Sequence, residues 1–170
     1  MEGHGHRGLA IAAHQVMEDT NPELVAEEAQ KLPTTVGQRL ASRMGKPWAD
    51  VDIDGIERQR AGIYDELRLR PCGPLLDDDE GSSINYVANA DGTREQHWVS
   101  KISEFRVSRV VFICGLLHLA PLASKFRSAG WTVDEISVCD LEWYKKRFGR
   151  LEVFEEDGRR WCEIRPNSKN

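Results

Sequence analysis

Residues Arg109 to Gly130 read RVVFICGLLHLAPLASKFRSAG, and the punctuation of this stretch decides the fold. The apolar run Val110 to Cys114 is short, β-branched at its start and cut by Gly115. Those features predict a central strand of a parallel sheet, covered on both faces, rather than a helix. Pro121 is tolerated in the first turn of a helix, and Gly130 suits the left-handed position after its end, so a helix is predicted between them. His118 then sits at the carboxyl end of a strand and just ahead of a helix. Open α/β sheets place their ligand crevices there, which makes His118 the first candidate functional residue.

The chain has 170 residues, of which 40% are hydrophobic, enough for one well-buried core. It is expected to form a single α/β domain, with a mainly parallel central sheet flanked by helices and a C-terminal hairpin. A net charge of −5 supplies no electrostatic footprint for a phosphate backbone, so nucleic acid is not expected as a partner. No apolar run is long enough to span a bilayer, since the longest is interrupted by His118 and Pro121. Cys72, Cys114, Cys139 and Cys162 form no close pair. Cys114 and Cys139 lie inside or beside apolar strand patterns and fit small buried hydrophobes in a reducing cytoplasm, and a metal site built from all four is not expected.

Outward from the central stretch, MEGHGHRG (1–8) is expected to be a flexible end, and LAIAAHQVMED (Leu9 to Asp19) a helix stopped by Asn21-Pro22. LVAEEA (Leu24 to Ala29) predicts a second buried strand that ends in two carboxylates, Glu27 and Glu28. Side chains alternate along a strand, so one of these glutamates at most looks into a given cleft. Both have an ordinary reading, as a strand end that has reached water. The sharper reading places one of them, Glu28 or Glu27, in the crevice of His118 as a metal ligand or general base.

Thr34 or Thr35 is expected to cap a helix through Arg43, and WADVDI (Trp48 to Ile53) to form a short strand. Asp54 with Glu57 three residues on resembles a capping box, opening a helix expected to run to Leu69. Arg60 falls on its mostly apolar stripe, either covering apolar neighbours with its stem or clamping an anionic substrate group bidentately. RPCGPLLDDDEGSSINYVANAD (Arg70 to Asp91) is expected to be a long loop or lid. A helix is then expected from Asp91 or Thr93 to Phe105, with Glu95, Trp98, Ile102 and Phe105 on one face. Glu95 there is either a first-turn carboxylate favoured by the helix dipole or a secondary catalytic acid. WTVDEISV (Trp131 to Val138) predicts a further strand, Asp140 to Phe148 a helical turn, and the segments flanking EEDG an antiparallel hairpin before a loose tail over 165–170.

The strand, helix, strand order around CGLLHLAPLASKFRSAGWTV resembles the closing unit of the TraB/GumN and Tiki proteins, related to the ChaN and erythromycin-esterase-like groups. Gly115, Leu116, Leu117 and His118 match its Gly-x-x-His motif, and Gly130, Trp131, Thr132 and Val133 its subsequent Gly-aromatic-x-Val strand. The LVAEE segment is similar to the early strand of that family that ends in glutamate. The resemblance covers about a third of the chain and implies an α/β fold with a metal-dependent hydrolase site. The earlier Gly-x-x-His-type motif of such proteins has no match before Leu24, and His14 stands in a helical context.

Two functions are expected from these residues. In the first, a divalent metal of unspecified identity is held by His118 and Glu28, with Glu28, His118 and Glu95 as catalytic groups and Arg60 binding the substrate. In the second, the same crevice binds a small molecule or a protein partner without turnover. An exposed sheet edge would leave room for a second copy of the chain.

Overall fold

The computed structural model describes residues 4–29, 32, 34–60, 68–71, 82–85, 88–148, 150–156 and 159–165. It is a mixed α/β structure whose described parallel sheet has three strands. Helix α1 (His4–Thr20) leads into β1 (Leu24–Glu27), α2 (Val36–Arg43), β2 (Trp48–Asp50) and α3 (Gly55–Arg60). Next come a short antiparallel pair, β3 (Arg68–Pro71) with β4 (Ser82–Asn85), and then α4 (Ala88–Glu104) and β5 (Val110–Ile113). A 3-10 turn (Leu116–His118) runs into α5 (Leu119–Ser128), and a second one (Val138–Asp140) precedes α6 (Glu142–Phe148). Strands β6 (Arg150–Glu156) and β7 (Arg159–Arg165) pair antiparallel at the end. Among the described residues no helix is long and apolar enough to cross a membrane.

The sheet order is β2-β1-β5, all parallel, so β1 is the centre and β5 lies to one side. This corrects the expectation that Val110 to Cys114 is the central strand. Burial follows the order: LVAE, paired on both sides, is buried at every position, whereas Val110 and Phe112 on β5 are only half-buried. Alternation along β1 feeds two cores. Val25 packs with Ala13 and Met17 of α1, with Val36 and Leu40 of α2, and with Val111 and Ile113. Leu24 and Ala26 pack with Trp98 and Ile102 of α4 and with Leu122 and Phe126 of α5. Burying the aromatic and aliphatic side chains of these clusters contributes about 1.5–3 kcal/mol apiece.

Helix ends obey their local chemistry. Asn21 at φ 46° closes α1, donating its N–H to the Met17 carbonyl, with Pro22 next. Thr35 caps α2 by accepting from the Gln38 N–H. Asp54 and Glu57 form the expected reciprocal box, at 2.7 and 3.1 Å. Gly130, at φ 90°, ends the turn after α5.

Other expectations are corrected. Helix α1 starts at His4, inside the end expected to be flexible. The helix opened by Asp54 does not reach Leu69, which pairs with Ile84 in the β3-β4 ladder, so Arg70 to Asp91 is not one continuous loop. The acidic run Asp77 to Glu80 and the residues Ile63, Tyr64 and Leu67 lie outside the described residues. Ile56 is 62% exposed, so local periodicity there does not correspond to a buried stripe. Helix α4 begins at Ala88 rather than at Asp91, and Phe105 at its end is exposed. Trp131 to Val138 forms no strand: Trp131 and Val133 pack at the margin of the core, while the Arg127 side chain takes the Val133 carbonyl and pairs with Glu135.

Candidate functional site

The three parallel strands stop in register, with Glu27 opposite both Asp50 and Ile113. The residues just beyond the strand ends therefore gather at one edge: Glu28 after β1, Asp52 after β2, and Gly115 with His118 after β5. The chain leaves β1 toward β2 on one side and returns to β5 on the other, and open α/β sheets place their ligand crevices at the carboxyl ends of such switch points.

Glu27 and Glu28 take opposite faces. Glu27 is buried under α2, where its carboxylate accepts from the Thr35 hydroxyl, from the Gly37 N–H at 3.2 Å and from the Trp48 indole N–H at 3.0 Å. It therefore anchors the start of a helix. Glu28 turns to the crevice: Oε2 accepts from the Gly115 N–H at 3.0 Å, and Oε1 is 3.8 Å from His118 Nε2. The two strand-end residues thus meet.

His118 is 4% exposed. Its Nδ1 lies 3.0 Å from Glu95 Oε1, and its ring stands edge-on to Trp98, with centroids 4.9 Å apart. With the proton on Nδ1 donated to Glu95, Nε2 turns its lone pair toward the Glu28 side. Glu95 is fully buried, and Lys125 Nζ stands 3.7 Å from its second oxygen. Because α4 starts at Ala88, Glu95 is well past the first turn, and the helix dipole no longer accounts for it.

Arg60 does not join this group; its side chain is exposed at the end of the described α3. The arginine that does is Arg94, 1% exposed, paired with Glu28 and with both oxygens of Asp52, and lying 5.0 Å above the Trp98 ring. Asp52 also accepts from Trp98 Nε1 at 3.1 Å and pairs with Arg58 at 3.1 Å. Burial works against the Arg94 cation, but the Glu28 and Asp52 carboxylates outweigh it and raise its pKa above the ordinary arginine value. Sequence reasoning missed Arg94 and Asp52. The available signal was the spacing of Arg94 four residues before Trp98, which puts both on one face of α4.

No family model matches this chain, and neither a curated protein nor a solved structure does.

Cys114 stands half-buried between β5 and Gly115. Burial, reinforced by the negative charges of Glu28 and Glu95, pushes its thiol up to about 12 from 9.0. At pH 8 its thiolate fraction is then about a thousandfold below that of an ordinary thiol. Alkylation of native protein by iodoacetamide, mapped by mass spectrometry, should leave Cys114 untouched under conditions that label it in urea. Since the folded-state value is raised, the associated stability is whole below pH 9.0 and is lost as pH climbs toward about 12. Labelling at equal rates in native and denatured protein would contradict this placement.

Proposed function

We propose that the crevice is a hydrolytic site in which His118 is the general base, Glu95 orients it and Glu28 shares the attacking water. The observation that carries this reading is the line Glu95, His118, Glu28: a buried carboxylate 3.0 Å from Nδ1 and a second carboxylate 3.8 Å from Nε2. Two acceptors at that spacing suit a single water donating to both at ordinary hydrogen-bond lengths of about 2.8 Å. The resemblance of Gly115 to His118 to the TraB/GumN and Tiki motif supports hydrolysis at the same histidine.

A resident divalent metal on His118 and Glu28 suits this donor set poorly. The Glu28 oxygen that faces Nε2 already bears the Arg94 guanidinium, and its other oxygen bears the Gly115 N–H. A metal on that carboxylate would place two cations on one oxygen. The reaction is therefore assigned to side chains alone, with Arg94 bound to the Glu28 carboxylate.

The experiment is a panel of chromogenic carboxylic esters, anilides and phosphate esters, assayed on the wild type, His118→Ala and Glu95→Gln, with circular dichroism as the fold control. Turnover that falls about 100-fold or more in His118→Ala is expected. Stoichiometric zinc or manganese in the purified wild type, lost in His118→Ala, would overturn the metal-free assignment. A wild type inert to the whole panel would favour the second reading, a binding module without turnover. That second reading draws on one observation: both Glu28 oxygens are engaged by the protein's own groups.

A further inference from the structure

We propose that Arg94 is a positioning residue: gripped by Asp52, it fixes the Glu28 carboxylate beside His118. The proposal rests on the reading of His118 and Glu28 as the working pair, but its test needs no turnover.

A guanidinium buried this deeply is expensive unless its charge and its N–H groups are matched. Asp52 matches them as a fork. Its Oδ1 takes Arg94 Nε at 3.3 Å and Nη2 at 3.2 Å, and its Oδ2 takes Nη2 at 3.1 Å. Asp52 is itself pinned by Trp98 Nε1, by Arg58 at the end of α3 and by its own N–H on Asp50 Oδ1 at 3.0 Å. Held this way, Arg94 presents Nη2 to Glu28 Oε1, the oxygen that faces His118. Its neighbour Glu95 holds the other side of the imidazole. Two consecutive residues of α4 thus set both partners of the pair, and Lys125 of α5 completes the charged surroundings from behind Glu95. Arginine suits the task because its planar fork fixes direction, which a lysine ammonium does not.

The reporter is the Gly115 amide. Gly115 is exposed, yet its N–H donates to Glu28 Oε2, so its hydrogen exchange reads whether that carboxylate stays in place. The Glu28 N–H, bonded to the Ile113 carbonyl at 3.0 Å, is the control for the strand ladder. In Arg94→Met, exchange at Gly115 should accelerate about tenfold or more, approaching the rate in Glu28→Ala, while the Glu28 N–H keeps its wild-type protection. Arg94→Lys should recover only part of the loss. Should Arg94→Met fail to fold, Asp52→Asn loosens the grip while keeping the shape, and the same selective acceleration is expected at severalfold size. Wild-type protection at Gly115 in a folded variant, or an equal loss at both amides, overturns the proposal. A protein inert to every substrate but showing the selective response would leave the positioning intact and remove only the hydrolytic reading.

Discussion

Replacing Asp52 with alanine should cost about 3–5 kcal/mol of stability, the largest effect expected of any polar substitution near the crevice. Its carboxylate is almost completely buried and holds Arg94, Arg58 and the Trp98 indole at once. Alanine removes the acceptor and leaves the Arg94 guanidinium desolvated with Glu28 as its remaining carboxylate. Leaving a buried charge uncompensated costs more than the pair ever contributes, because the desolvation is no longer offset. Asp52→Asn should cost less, since one oxygen still accepts. Urea titration monitored by tryptophan fluorescence measures both variants. A midpoint for Asp52→Ala within experimental scatter of the wild type would show that Arg94 finds water or another partner when its anchor is gone.

The second large effect is Gly37→Ala. Alanine ordinarily stabilises a helix by about 1 kcal/mol relative to glycine, so this change in α2 would be stabilising on propensity alone. Here a Cβ would stand 2.5 Å from Glu27 Oε2, 2.9 Å from its carboxyl carbon and 3.1 Å from Ile113 Cδ1. The Glu27 carboxylate is the end of a flexible side chain, but it is buried and bonded to Thr35, Gly37 and Trp48, so moving it breaks those bonds. Overpacking of about 1–3 kcal/mol together with lost buried hydrogen bonds outweighs the propensity gain, for a net loss of about 2 kcal/mol. In a Glu27→Ala background the overlap with the carboxylate is gone and only the 3.1 Å approach of Ile113 Cδ1 remains, so Gly37→Ala should cost much less there. Additive effects of the two changes in chemical denaturation would sink this account.

The meeting of Glu28 with His118 was legible in the sequence because both residues come after short apolar runs that read as strands, and parallel strands bring their ends together. The assignment of β1 as the centre was less so. Both runs are apolar, and which one is sandwiched depends on what β2 does, tens of residues away. Of the two readings of Glu95, the first-turn one fails: the residues from Ala88 to Ala90 extend α4 ahead of the expected cap and carry Glu95 out of the first turn. Arg94 and Asp52 stand 42 positions apart and leave no periodic trace, so their pairing shows only once the strands are placed. Arg60 is the opposite case: local spacing puts it on a helical stripe, either reaching solvent over apolar neighbours or clamping a substrate, and the structure leaves it exposed. The segment after Gly130 alternates as a strand should, but alternation needs a ladder partner to become one, and the Arg127 side chain occupies a carbonyl there.

The adjacent carboxylates of β1 have a consequence for how the chain tolerates change. Glu27 serves the helix on one face and Glu28 the crevice on the other, so their assignments are fixed by parity. Adding or deleting one residue within Leu24 to Glu27 would exchange the two faces. Only one of the two acidic positions would then still hold an acid, because Ala26 or Ala29 would take the other, and the apolar side chains beyond the change would point into the wrong core. Length variation in this protein should therefore be confined to the connections and excluded from the strand that is buried at every position.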